Sequence, residues 1–126
     1  MIGKIDKQQI SYNLYESLIV DALELGSDYW AMVDIDGIKF PQEYDELTLT
    51  EKIAKAIWYQ NATLPIYNRA DETLLGKVNI KSIKNAFEEM ARNETESYKR
   101  ILNESFTEED SDTFLQIATM GFVRYK

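Results

Sequence analysis

Apolar side chains in the first part of the chain recur at the spacing of a helix. Between about residues 13 and 25 they lie three or four positions apart, at Leu14, Leu18, Ala22 and Leu25. This spacing aligns them along one side of an amphipathic α-helix. Ser11 or Asn13 can cap the first turn of this helix, and Gly26 suits the left-handed conformation that often ends one.

The pattern changes immediately after Gly26. Residues 29–35 are rich in aromatic and β-branched side chains, which predicts a strand. Asp36 and Gly37 follow, and this dipeptide between two apolar segments is a strong signal for a hairpin turn. Residues 38–40 are therefore expected to form the second strand of a hairpin.

Two shorter segments and an N-terminal arm complete the predicted sheet. Residues 64–67 resemble a strand that its proline places at a sheet edge, and residues 68–78 a loop or an irregular hairpin. Residues 122–125 are expected to form a terminal strand beside the first one. Residues 1–10 have little pattern and suggest an extended arm or an edge strand.

Cap residues mark the beginnings of the remaining helices. Thr48 and Glu51 have the spacing of a capping box. In this motif the Thr side chain accepts a hydrogen bond from the backbone amide of the Glu, and the Glu side chain accepts one from the backbone amide of the Thr. That helix is expected to end near Asn61. Further helices are predicted over residues 79–90, then as a more polar helix after a break, and over residues 107–121.

These elements predict one α+β domain over residues 1–126, with three to four helices packed on a small antiparallel or mixed sheet. The 44% hydrophobic and 29% charged content is typical of a globular protein. No apolar run approaches the ~20 residues that span a bilayer, and the first residues lack the apolar core of a signal peptide. Together with the absence of cysteine, this favours a cytoplasmic location and no membrane partner.

The chain contains neither cysteine nor histidine. This excludes thiol nucleophiles, imidazole bases and the usual structural zinc sites. No catalytic residue, metal site or cofactor is predicted, and a binding protein is favoured over an enzyme. The net charge of −8 disfavours direct binding of nucleic acid but is compatible with a basic protein partner.

One short segment offers an enzymatic alternative. Asp34 and Asp36 follow an apolar strand and precede a glycine, which resembles the nucleophile loop of haloacid-dehalogenase-type phosphatases, although Ile38 replaces the usual Thr. That resemblance implies a Mg²⁺-dependent phosphatase or nuclease. The same residues are fully explained as a hairpin turn.

The start of the last helix is strongly acidic. Glu108, Glu109, Asp110 and Asp112 could offer oxygen ligands to a cation, but they lack the pattern of a calcium loop. A solvated helix start that complements the helix dipole is the simpler interpretation. Asp110 is kept as a candidate site residue, as is Gln116, whose carboxamide lies among apolar neighbours and needs a partner if buried.

Two aromatic pairs, Tyr29-Trp30 and Trp58-Tyr59, can stack on a nucleobase or fill a protein interface. Adjacent side chains on a strand or helix point in different directions, so the two rings of a pair are not expected to share one core. One ring of each pair is therefore a candidate for a pocket or an oligomer interface.

Two segments together resemble a family. Residues 22–31 are similar to an A-L-E-x-G-x-x-Y-W-A segment, and residues 112–125 to a closing D-x-x-L-Q-x-A-x-F-G-x-V-x-Y segment. Both occur in a group of small, largely uncharacterised phage and prophage proteins. Met120 and Leu25 depart from the pattern, where an aromatic residue and a glycine are usual.

The resemblance implies a phage anti-defence protein that acts by binding in the cytoplasm of a host cell. The leading hypothesis is a homo-oligomeric sponge for a nucleotide-derived signal, in which aromatic rings stack on the base and arginines hold phosphate. The arginines to test are Arg69, Arg92, Arg100 and Arg124. The alternative is an acidic nucleic-acid mimic that inhibits a host defence effector such as a CRISPR complex. The predicted ligand-binding residues are Tyr29, Trp30, Trp58, Tyr59, Arg69, Asp110, Gln116 and Arg124.

Overall fold

The computed structural model describes residues 10–125, and it contains five α-helices and a three-stranded antiparallel sheet. The helices are α1 (Tyr12–Asp21), α2 (Leu49–Gln60), α3 (Ile80–Asn93), α4 (Thr95–Leu102) and α5 (Glu108–Met120). The strands are β1 (Ala31–Val33), β2 (Leu64–Asn68) and β3 (Leu74–Val78), in the order β1-β2-β3. This confirms the α+β class. The predicted arm lies outside the described residues except for Ile10.

The last helix, α5, is the centre of the fold. Its residues from Asp110 to Thr119 are buried apart from Thr113, which is half-buried. α1, α3, α4 and β3 all pack against it. Phe114 of α5 stacks on Phe87 of α3, with ring centroids 4.9 Å apart. A helix surrounded in this way depends on partners within the protein for its buried polar side chains. Such partners are present for Asp110, Ser111, Asp112 and Gln116, whereas Thr119 Oγ1 has none within residues 10–125.

The helix beginnings agree with their sequence signals. Thr48 and Glu51 form the predicted capping box at α2, and equivalent boxes begin α3 at Asn79 and α5 at Thr107. Of the two candidates at α1, Ser11 is the cap, since its Oγ accepts the Leu14 amide at 3.2 Å. Local hydrogen bonds of this kind need no information from the rest of the chain.

The end of α1 differs from the prediction. The helix widens into a π-helical turn over Ala22–Gly26, and Gly26 does not have a positive φ. A Cβ atom at this position would lie 2.5 Å from both the Glu108 carbonyl oxygen and Ser111 Oγ. Gly26 is therefore required because α5 approaches the backbone closely. α5 ends at Gly121, the last residue of the predicted range, and there the glycine does adopt the left-handed conformation, with φ of 89°.

The predicted hairpin is wrong in its second strand. The turn exists, because the Ile38 amide donates to the Ile35 carbonyl at 3.0 Å, but residues 38–40 form no strand. β1 instead pairs with β2, and Val33 lies opposite Ile66. The dipeptide signal fixes the turn, whereas the strand partner comes from a distant segment.

Two other predictions about the sheet are also wrong. β2 is the central strand, not an edge strand. Pro65 lies one residue beyond the last β1–β2 pair, and its carbonyl accepts a hydrogen bond from the Asp34 amide at 3.3 Å. The missing N–H of proline is tolerated at this position because β1 has already ended. Residues 122–125 are not a strand, although Tyr125 does lie beside the β1 region and stacks on Trp30. Residues 68–78 contribute to the β2–β3 hairpin.

No helix among residues 10–125 combines the length and the apolar character needed to cross a membrane.

The close approach at Gly26 gives a stability prediction. Gly26→Ala should lower the free energy of unfolding by roughly 1 to 3 kcal/mol, because the added methyl group meets backbone that cannot move independently. Gly37→Ala is the matched control, since nothing lies within 4 Å of its Cβ position; its effect should stay within about 0.5 kcal/mol. Urea denaturation measures both, and equal effects would contradict this role for Gly26.

Candidate functional site

The carboxylate of Asp112 is the centre of a buried hydrogen-bond network. Asp112 lies in the second turn of α5 and is only 8% exposed. Its Oδ1 accepts hydrogen bonds from Ser27 Oγ at 2.8 Å and Trp30 Nε1 at 2.7 Å. Its Oδ2 accepts hydrogen bonds from Tyr29 OH at 2.6 Å and Gln116 Nε2 at 3.1 Å. Four neutral donors thus surround a charge that has no ion-pair partner within residues 10–125.

Gln116 extends this network to the C-terminal segment. Its Oε1 accepts the backbone amides of Arg124 and Tyr125, both at 2.7 Å, and its Nε2 donates to the Tyr125 carbonyl at 2.9 Å. The Tyr125 ring stacks on Trp30 with centroids 5.2 Å apart. The expected partner for a buried Gln116 carboxamide is therefore present, and the two segments that carry the family resemblance meet here.

Asp110 belongs to a second, charged network at the start of α5. Arg100 donates from Nε to Oδ2 at 2.7 Å and from Nη2 to Oδ1 at 2.8 Å, and Ser97 Oγ donates to Oδ1 at 2.7 Å. Burial alone raises the pKa of this carboxyl, but the hydrogen bonds from Arg100, Ser97 and the Thr107 amide lower the pKa from 3.8 to about 2. Asp110 is therefore ionised at neutral pH.

A cleft of about 860 Å³ lies between these two networks. It is bounded by the turn at residues 26–29, the break between α3 and α4, the first turns of α5 and the C-terminal segment. The carboxylates that line it are Glu94, Glu96, Glu108, Glu109, Asp110 and Asp112. The one guanidinium among its lining residues, that of Arg100, is already paired with Asp110. The cleft is therefore strongly acidic and unsuited to a phosphate group. We call it the acidic cleft.

Tyr29 supplies an aromatic edge to the acidic cleft. Its side chain is 54% exposed, yet its hydroxyl reaches the buried Asp112. Desolvation and the hydrogen bond to Asp112 raise the pKa of the Tyr29 hydroxyl. The hydroxyl therefore stays protonated at neutral pH and remains a hydrogen-bond donor.

The predicted site residues do not all converge. Tyr29, Asp110 and Gln116 line the acidic cleft. Trp30 is 3% exposed and does not line the cleft, but its indole N–H donates a hydrogen bond to Asp112, which does. Each aromatic pair places one ring at the surface, as expected, because Tyr29 and Tyr59 are both more than half exposed.

The second aromatic pair lies in a separate cluster. The ring centroids of Trp58 and Tyr15 are 4.7 Å apart, and those of Tyr59 and Tyr12 are 5.0 Å apart. Lys55 Nζ lies 4.8 Å from the centroid of the Tyr12 ring. None of these residues lines the acidic cleft.

The four arginines considered for phosphate binding are engaged within the chain. Three pair with carboxylates, in the pairs Arg69–Asp28, Arg92–Glu89 and Arg100–Asp110. Arg124 lies 5.3 Å from the centroid of the Tyr125 ring. They do not form a shared cationic pocket.

Sequence reasoning missed Asp112, which it assigned to a solvated acidic helix start. The available signal was the four-residue spacing between Asp112 and Gln116, which puts both side chains on one helix face. A second signal was their occurrence in the same family-like segment. Ser27, which is completely buried, was missed as well.

The segment that resembled a phosphatase loop acts here as a turn. Asp34 Oδ1 accepts the Asp36 amide at 2.9 Å, the hydrogen bond of an Asx turn. Over the part of the chain that is described, no group of three or more His, Cys, Asp or Glu side chains is placed to hold a metal ion.

No protein-family profile, curated protein or solved structure matches this chain. Function is therefore inferred from the surfaces of this molecule.

The Asp112 network leads to a stability prediction. Asp112→Asn should lower the free energy of unfolding by roughly 2 to 4 kcal/mol, because an amide NH₂ would face a group that is itself a donor. Asp45→Asn, at an exposed position, should change it by no more than about 0.5 kcal/mol. Chemical denaturation compares the two, and a neutral Asp112→Asn would show that the charge is dispensable.

The Asp110–Arg100 pair predicts a pH dependence. Because the folded pKa of Asp110 is about 2 and its ordinary value is 3.8, its contribution is complete above pH 3.8 and is lost as pH falls toward 2. Arg100→Gln should therefore lower the free energy of unfolding at neutral pH and have a much smaller effect near pH 2, where the Asp110 carboxylate becomes protonated.

Arg92→Gln is the control, since it removes an exposed pair with Glu89 on α3. Urea denaturation of the three proteins between neutral pH and pH 2 measures the difference. If Arg100→Gln destabilised the protein equally across that range, the ionisation of Asp110 would not be the source of its stabilising effect.

Proposed function

We propose that the protein acts without catalysis, by holding a basic segment of a partner protein in the acidic cleft. The observation that carries this proposal is the cleft lining, in which Arg100 is the one guanidinium and is already neutralised by Asp110. Glu94, Glu108 and Glu109 take part in no ion pair within residues 10–125, whereas Glu96 forms an exposed pair with Lys99 at 3.7 Å. A cationic side chain gains from this field, whereas an anion is repelled.

The exposed Tyr29 ring adds a second kind of contact. A lysine or arginine side chain can pack against an aromatic face while its charge lies near carboxylates. Behind the ring, the bond from Tyr29 to Asp112 fixes its position before a partner arrives. A preorganised surface of this type loses less conformational entropy on binding.

A basic surface that fits the acidic cleft is the kind of surface that nucleic-acid-binding proteins use for phosphates. The chain would thus inhibit such a protein by occupying its nucleic-acid site, and the net charge of −8 would accelerate association. A CRISPR-type defence effector, a phage origin and a homo-oligomeric state remain predictions from the resemblance. The nucleotide-sponge hypothesis needs a different surface, since the acidic cleft repels phosphate.

The test is competition for an arginine-rich peptide bound to labelled duplex DNA. The protein should bind the peptide and release the DNA, and a cleft variant with Glu94, Glu96, Glu108 and Glu109 changed to Gln should be at least about tenfold weaker. The control removes four exposed charges elsewhere, by Glu43→Gln, Asp45→Asn, Glu46→Gln and Glu72→Gln. Fluorescence anisotropy of the DNA gives the affinities.

Because both variants lose the same charge, a general electrostatic effect would weaken them equally. That result would reject the acidic cleft as the binding site. Failure of the unchanged protein to release any DNA would reject inhibition by mimicry.

A further inference from the structure

A second cavity differs from the acidic cleft in both lining and charge. It is a groove of about 530 Å³ along α3, and its walls are apolar. Ile10, Trp58, Ile80 and Phe87 are among the residues that form it. Its volume falls within the range typical of small-molecule sites. We call it the Trp58 groove.

The charged side chains of the Trp58 groove are mainly basic. Lys81 and Lys84 line it, and Glu88 is the one carboxylate that lines it within residues 10–125. Both lysines are exposed, and neither takes part in an ion pair within residues 10–125. Two ammonium groups without an ion-pair partner in the described part of the chain therefore lie beside an apolar groove, although the net charge of the protein is −8.

The local sequence strengthens this charge contrast. From residue 73 to residue 87 the chain contains three lysines and no Asp or Glu. The lysines are Lys77, Lys81 and Lys84. An anion that approaches the protein is therefore repelled by the acidic cleft and attracted to the Trp58 groove.

We propose that the Trp58 groove binds a nucleoside phosphate, a ligand with a flat, largely apolar ring system and an anionic head. The base would stack on the half-buried Trp58, and the phosphate would be held by Lys81 and Lys84. Asn85, also in the lining, offers both a donor and an acceptor to the edge of a base. This site is independent of the acidic cleft and of the function proposed for it.

Charge and aromatic character together select this ligand class. An uncharged aromatic compound would leave the two lysines unused. A saturated fatty-acid anion would match the charge and the apolar walls, but its chain has no aromatic ring to stack on Trp58. The two amphiphilic anions are therefore distinguishable by experiment.

The chain contains its own spectroscopic reference for this test, because it has two tryptophans. The indole N–H of Trp30 is buried on Asp112, whereas Trp58 lines the groove. Titration of ¹⁵N-labelled protein with 5′-AMP, cyclic di-AMP and cyclic ADP-ribose should shift the Trp58 indole signal and leave that of Trp30 unchanged. Dodecanoate is the comparison ligand.

The variant Lys81→Ala/Lys84→Ala should bind the responding nucleotide at least about tenfold more weakly. The matched control is Lys39→Ala/Lys99→Ala, which removes the same charge from exposed positions outside the groove and its lysine-rich segment and should keep the affinity of the unchanged protein. Equal weakening in both variants would overturn the proposal, since it would reflect general charge alone. The proposal would also be overturned if no nucleotide shifted the Trp58 indole signal at millimolar concentration. Binding of dodecanoate but of none of the nucleotides would overturn it as well.

Discussion

The desolvated carboxylate of Asp112 constrains the rest of the site. A buried charge without a counter-ion is costly unless hydrogen bonds replace its hydration. Here the replacement comes from Ser27, Tyr29 and Trp30 in the turn after α1, together with Gln116 of α5. The position of that turn is thereby fixed relative to α5, and Gln116 fixes the C-terminal segment to the same helix. The walls of the acidic cleft are consequently in place before any partner binds.

The features that could be predicted from sequence are those determined within a few residues. The capping boxes at Thr48 and Thr107 and the left-handed Gly121 need only local hydrogen bonds or local sterics. The errors concern contacts between distant segments. The partner of β1 lies more than thirty residues away, and Gly26 is needed because of α5. A local pattern cannot indicate either of these long-range contacts. Gly26 was therefore interpreted as a helix end, although its main role is to allow the close approach of α5.

The candidate site shows the same division at the level of side chains. At Tyr29-Trp30 one ring is exposed and the other is buried, as expected for adjacent residues whose side chains point in different directions. That Trp58 would lie in a different cavity from Tyr29 depends on the packing of α2, which no motif encodes. Asp112 was the most instructive omission, because an acidic helix start usually lies in solvent. Its burial follows from the position of α5 at the centre of the fold, which is a property of the whole chain.

Helix α3 contributes residues to both cavities, and its length separates the lysines of the Trp58 groove from the carboxylates of the acidic cleft. Its first two turns line the Trp58 groove, and its last residue, Asn93, lies in the acidic cleft. At 1.5 Å per residue, the Lys81–Lys84 region and the break at residues 93–96 are separated by roughly 15 Å along the helix. This exceeds the Debye length of about 8 Å at physiological ionic strength. The negative cleft therefore does not cancel the positive groove, and one small chain can present surfaces for ligands of opposite charge.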